Sequence, residues 1–107
     1  MEYGSCSPTD IDAALEFGGK VLILYELKYG TAKIPRGQML LLTRIVDSWD
    51  GDSVLFICRH NTPAGTDVLL KDCEVTEVYY KGKLKKPKER KTADELTKDF
   101  LKYEGIR

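Results

Sequence analysis

The chain of 107 residues carries one histidine, one tryptophan and three cysteines. With Cys6, Cys58 and Cys73 scattered and His60 alone, it lacks the close ligand pairs from which a zinc site is built, and no metal is expected. An odd number of isolated cysteines also argues against a disulfide framework and points to a reducing, cytoplasmic compartment. No apolar run approaches the ~20 residues that a membrane span requires, so no membrane partner is expected. The start, MEYGSCSPTD, has no basic segment leading into an apolar one, and no secretory signal is read there. Gly30, Gly37, Gly51 and Gly65 stand singly, which leaves no loop able to cradle a phosphate and no cofactor to expect.

Catalytic pairings are equally scarce. Cys58 and His60 would share one strand face, but next-but-one neighbours on a strand lie about 6.5 to 7 Å apart at their backbones, beyond hydrogen-bond reach of nucleophile and base. Asp47, Asp50, Asp52 and Asp67 read as solvated turn formers. No catalytic residue is assigned, and the expectation is a protein that is not an enzyme.

What is present is a soluble composition, 42% hydrophobic and 32% charged, with a net charge of zero that hides an asymmetry. Residues 1–80 hold 7 basic and 12 acidic side chains, a balance of −5; residues 81–91, KGKLKKPKERK, hold 7 basic and 1 acidic, a balance of +6. The chain divides on this basis into a domain over 1–80, a basic linker over 81–91 and a tail over 92–107. This size supports one core, not two.

Within 1–80, short apolar runs alternate with turn signals. VLILYELKY, QMLLLTRIVDSW, SVLFICRH and DVLLKDCEVTEVYY are separated by Gly30-Thr31, Asp50-Gly51-Asp52 and Asn61-Thr62-Pro63-Ala64-Gly65. Each run reads as a strand, with Glu26 and Lys28 alternating outward from the first and Asp50-Gly51 forming a tight hairpin turn. Leu22 and Leu24 are apolar as well, so both faces are expected to be covered near the start of that strand. Ser7-Pro8-Thr9-Asp10 predicts the start of a short helix over 8–17, stopped by Gly18-Gly19. The expected core comprises Ile23, Tyr25, Leu41, Ile45, Phe56, Val68 and Val75.

The order Leu24-Tyr25-Glu26-Leu27, Ile34-Pro35-Arg36-Gly37-Gln38 leading into MLLLTRIVD, the acidic hairpin, SVLFICR, and Leu70-Lys71-Asp72-Cys73-Glu74-Val75 resembles the plan of an SH3-like barrel. The resemblance covers about residues 20–80 and implies a mainly β fold: a small five-stranded antiparallel barrel flanked by short N- and C-terminal helices. The tryptophan doublet and the Pro-x-x-Tyr of peptide-binding SH3 domains are absent, so proline-rich peptides are not the implied ligand.

After Tyr80 the lysines take over, and Pro87 forbids a continuous helix, so an extended, mobile strip is expected. Thr92-Ala93-Asp94-Glu95 then forms a capping-box pattern, and Ala93, Leu96, Phe100 and Tyr103 line one side of a helix over 92–104. Two functional readings follow. In the first, the protein is a non-enzymatic nucleic-acid-binding module whose contacts are Lys81, Lys83, Lys85, Lys86, Lys88, Arg90 and Lys91, with Tyr79 and Tyr80 stacking on bases. In the second, it is a protein-interaction module or inhibitor, docking on a partner or a second copy through its acidic face and through Leu96, Phe100 and Tyr103.

Overall fold

A computed structural model describes residues 13–63 and 67–105. Five strands form one sheet in sequence order: β1 (Ala13–Phe17), β2 (Val21–Tyr29), β3 (Asp52–His60), β4 (Glu74–Tyr80) and β5 (Lys83–Lys85). Helix α1 (Arg36–Ser48) connects β2 to β3, and helix α2 (Ala93–Tyr103) follows β5. The five strands of the sequence reading are present in number, but the sheet is open, with β1 and β5 as its edges. Its central pair, β2 and β3, runs parallel, with Val21 opposite Asp52 and Tyr29 opposite His60, while every other pair is antiparallel. The closed antiparallel barrel expected from the sequence is therefore replaced by an open mixed sheet.

The cause lies in one segment. QMLLLTRIVDSW, expected as a strand, is most of α1. Met39, Leu42, Ile45, Val46 and Trp49 recur at spacings of three and four, and all of them pack on one face of the sheet; the run is longer than most strands and rich in unbranched helix formers. A helix between two strands lets them lie side by side in the same direction, as two-residue hairpins cannot. Leu41, an expected core residue, points outward and is 38% exposed, and Leu42 takes the buried place instead. Ile45 is half-buried at the rim of the same cluster.

Asp50-Gly51 accordingly does not join two paired strands. It links α1 to β3 at a point where backbones nearly touch. A Cβ on Gly51 would lie 1.9 Å from the Lys20 carbonyl oxygen, and the next amide, Asp52 N–H, donates to that oxygen at 2.8 Å. The expected N-terminal helix is also corrected in its described part. Residues 13–17 are β1, turned into β2 by Gly18 and Gly19, both at positive φ, a conformation glycine adopts without penalty. The rest of that helix, residues 8–12, lies outside the described residues.

Both faces of the sheet are covered, which explains why Val21 through Glu26 are all buried. On one face Leu22, Leu24, Leu55 and Ile57 meet Leu42 and Val46 of α1. On the other, Val21, Ile23, Tyr25, Val54, Phe56, Cys58 and Val75 form a core against which Leu96 and Phe100 of α2 pack. Ile23, Tyr25, Phe56 and Val75 are thus buried as expected, and Val68 is partly buried beside them. The Tyr25 hydroxyl meets Thr97 Oγ1 at 2.5 Å, pinning α2 to the sheet.

Helix α2 forms where the sequence places it. Thr92 Oγ1 accepts from Glu95 N–H and the Glu95 carboxylate accepts from Thr92 N–H, a complete capping box. The basic strip is tied down at several points, contrary to the mobile linker expected. Lys83–Lys85 pairs with β4, Val75 N–H donates to the Lys91 carbonyl, and Ala93 N–H donates to the Cys73 carbonyl. The outer side of β4 has backbone groups in need of partners, and the strip supplies them. Among the described residues no helix is long and apolar enough to cross a membrane.

Candidate functional site

At the C-terminal ends of the parallel strands the α1 face changes character. Alternation along β2 places Leu22, Leu24, Glu26 and Lys28 in succession on that side. Glu26 is 0% exposed, among the most buried side chains of the molecule. An ionised carboxylate withdrawn from water costs several kcal/mol unless it is paired. Pairing is supplied by Lys28, whose Nζ stands 3.4 Å from Oε1, and by Gln38, whose Nε2 donates to Oε2 at 2.8 Å, among other contacts. Pro35 precedes the first residue of α1, so Gln38 falls in the first helical turn, over the strand ends. Arg59 lies opposite Lys28 in the parallel register, and its guanidinium donates to the Ala32 carbonyl of the β2–α1 loop.

Carboxylate, ammonium, amide and guanidinium are thus gathered at the carboxyl ends of adjacent parallel strands, the edge where open α/β sheets bind ligands. A carboxylate is a hard oxygen donor suited to a divalent cation, and a neighbouring ammonium suits a site that stabilises negative charge on oxygen. Among the described residues no three histidine, cysteine, aspartate or glutamate side chains come together. Glu26 is thus a single carboxylate there, without a second or third acidic or sulfur ligand beside it among the described residues. Sequence reasoning missed Glu26, Lys28, Gln38 and Arg59. The available signal was a glutamate directly following five consecutive buried residues, on the face that Leu22 and Leu24 mark as interior.

Among the described residues the two cysteines, Cys58 and Cys73, offer no competing chemistry. Burial pushes the Cys58 thiol far above its usual value, with Cys73 and Glu26 adding to the shift, and burial likewise raises Cys73. Both stay protonated and unreactive at neutral pH. His60 Nδ1 accepts from Thr62 N–H at 3.1 Å, which leaves the other ring nitrogen to carry the proton when the ring is neutral.

The basic strip lies along the β4 edge of the sheet, and the structure separates its expected contact residues. Tyr79 and Tyr80 point to opposite faces. The Tyr79 ring packs beside the α1 cluster and its hydroxyl donates to the Asp47 carboxylate at 2.8 and 2.9 Å. Tyr80 packs edge-on to Phe100, with centroids 5.9 Å apart, and donates to Asp52 at 2.8 Å. They do not form a joint stacking platform. Arg90 binds Glu74 through two hydrogen bonds of 2.9 and 3.2 Å, and Lys91 meets Asp99 at 2.6 Å. Lys83, Lys85, Lys86 and Lys88 make no ion pair among the described residues. With Lys81, whose Nζ sits 5.3 Å over the Tyr80 ring, they surround a cleft of about 610 Å3 floored by Val78 and Tyr80.

Of the residues expected to meet a protein partner, Leu96 and Phe100 pack on the chain's own sheet and Tyr103 is 73% exposed. Comparison with family models, with curated proteins and with solved structures finds no match for this chain.

Proposed function

We propose that this protein acts on nucleic acid as a cation-assisted phosphodiester hydrolase, with Glu26, Lys28 and Gln38 at the reacting centre. The observation that carries the reading is Glu26 itself. A fully buried carboxylate, held by a lysine and a glutamine at the carboxyl edge of a parallel strand pair, is a costly arrangement that stability alone does not favour. Glu26 would ligate the cation. A bound divalent cation supplies Lewis acidity and lowers the pKa of water. Lys28 places positive charge where the phosphate oxygens gain negative charge in the transition state. Gln38 orients the Glu26 carboxylate, and Arg59 adds a second cation for a phosphate on the neighbouring strand.

The test is incubation of labelled single- and double-stranded DNA and RNA with the protein in magnesium or manganese, with a chelator control. Glu26→Gln and Lys28→Ala should each lower cleavage by about 100- to 1,000-fold, while circular dichroism shows both variants folded. An absence of cleavage by the wild-type chain on all four substrates would defeat the reading. A second reading then stands, that of a non-enzymatic nucleic-acid-binding module, favoured by the five lysines around one cleft. In either reading the protein belongs in a reducing cytoplasm, where the free thiols of Cys58 and Cys73 persist.

A further inference from the structure

Lys83 lies opposite Tyr80 and Lys85 opposite Val78, which puts both lysines on the α2 side of the sheet. Tyr80 and Val78 in turn lie opposite Val54 and Phe56, members of the α2-side core. The floor of the lysine cleft continues directly into an apolar groove of about 460 Å3, where Tyr80 is joined by Leu96, Phe100 and Tyr103. One end of this surface is cationic and the other aromatic, with the Asp99 carboxylate at the aromatic end paired to Lys91 at 2.6 Å. Tyr103 is the most open large apolar side chain among the described residues. Glu26 faces α1, so the sheet itself separates this surface from the cluster proposed above.

We infer that this continuous surface holds single-stranded nucleic acid, with phosphates on Lys81, Lys83, Lys85 and Lys86 and an unstacked base on the Tyr103 ring. The inference rests on the reading of the protein as one that acts on nucleic acid, and assigns the strand to a holding site rather than to the bond being cut. Lysines on an extended backbone meet a repeating line of anionic groups, and an exposed ring beside them offers a stacking surface that every base can use. A duplex would present its phosphates to the lysines but keep its bases stacked away from Tyr103. An acidic peptide would satisfy the lysines and leave the aromatic end without a planar partner.

Fluorescence anisotropy of the full chain with a labelled oligothymidylate and with a duplex of equal length, in chelator and across a salt series, tests this. Single strand should bind more tightly than duplex. Tyr103→Ala should weaken single-strand binding by roughly 5- to 150-fold without changing its salt slope. Substituting Lys83 and Lys85 by alanine should lower that slope by about 0.7 for each phosphate that is no longer neutralised. Chelator removes cleavage from the measurement, so failure of the hydrolase reading leaves these results standing. Equal or tighter duplex binding, an unaffected Tyr103→Ala, or displacement by polyglutamate at concentrations as low as those of unlabelled oligothymidylate would each overturn the inference, the last pointing to an acidic protein partner.

Discussion

At the scale of single residues, Glu26 interrupts a face that would otherwise be filled by leucine. Replacing a buried ionic pair by apolar atoms of similar size is frequently neutral or stabilising, because the pair was dehydrated at a cost. Replacing Glu26 and Lys28 together by methionine should leave unfolding stability unchanged or raise it by up to ~4 kcal/mol in urea titrations, because both charges of the pair go at once. A loss of stability would instead mark the pair as structural. Ile23, Tyr25, Phe56 and Val75 were legible as core because each is apolar inside a short run of strand formers bounded by turn residues. Glu26 was not, because alternation alone assigns a charged residue to the outside and only the helix above it reverses that assignment.

Among the elements, α2 announced itself through chemistry confined to four residues, Thr92 to Glu95, so no distant part of the chain was needed to recognise it. Helix α1 was hidden by its own richness. In MLLLTRIVD both periods find apolar partners, and the choice between them is made by what lies underneath. The apolar double-sidedness of β2 was the decisive clue, since such a strand needs cover on both faces. The two assignments differ in a measurable way. Leu42→Ala should cost about 2 to 5 kcal/mol and Leu41→Ala less than ~0.5 kcal/mol, compared by chemical denaturation; similar costs at both positions would contradict the helix.

Across the whole molecule, the end of α2 meets the start of β3 through two carboxyl groups. Glu104 is raised from 4.5 to about 7, first by its hydrogen bond to Asp52, then by desolvation and by the Asp52 charge, with nearby Lys81 opposing. Asp52 is held below its usual range despite desolvation, by hydrogen bonds from Glu104 and Tyr80 and by Lys81. A carboxyl whose folded pKa exceeds its unfolded value binds its proton more tightly in the folded state, so its stabilising contribution is complete below pH 4.5 and fades as the pH rises through about 7. The melting temperature should therefore fall between about pH 5 and 8, and Glu104→Gln should remove much of that fall by keeping a permanent donor toward Asp52. A melting profile identical in the variant and the wild type would show that the two carboxyls do not share a proton.

The parallel pairing of β2 with β3 also orders the events of folding. The β1–β2 and β4–β5 hairpins can form from neighbouring residues, whereas Val21 must find Asp52, thirty-one positions along the chain, before any of the central ladder exists. Closing that loop is entropically unfavourable until α1 has shortened it and laid Leu42 and Val46 against both strands. Docking of α1 on the β2–β3 pair is thus expected to be the slow step of folding, and substitutions that weaken α1 should retard folding, measured by stopped-flow refolding, more than those in either hairpin.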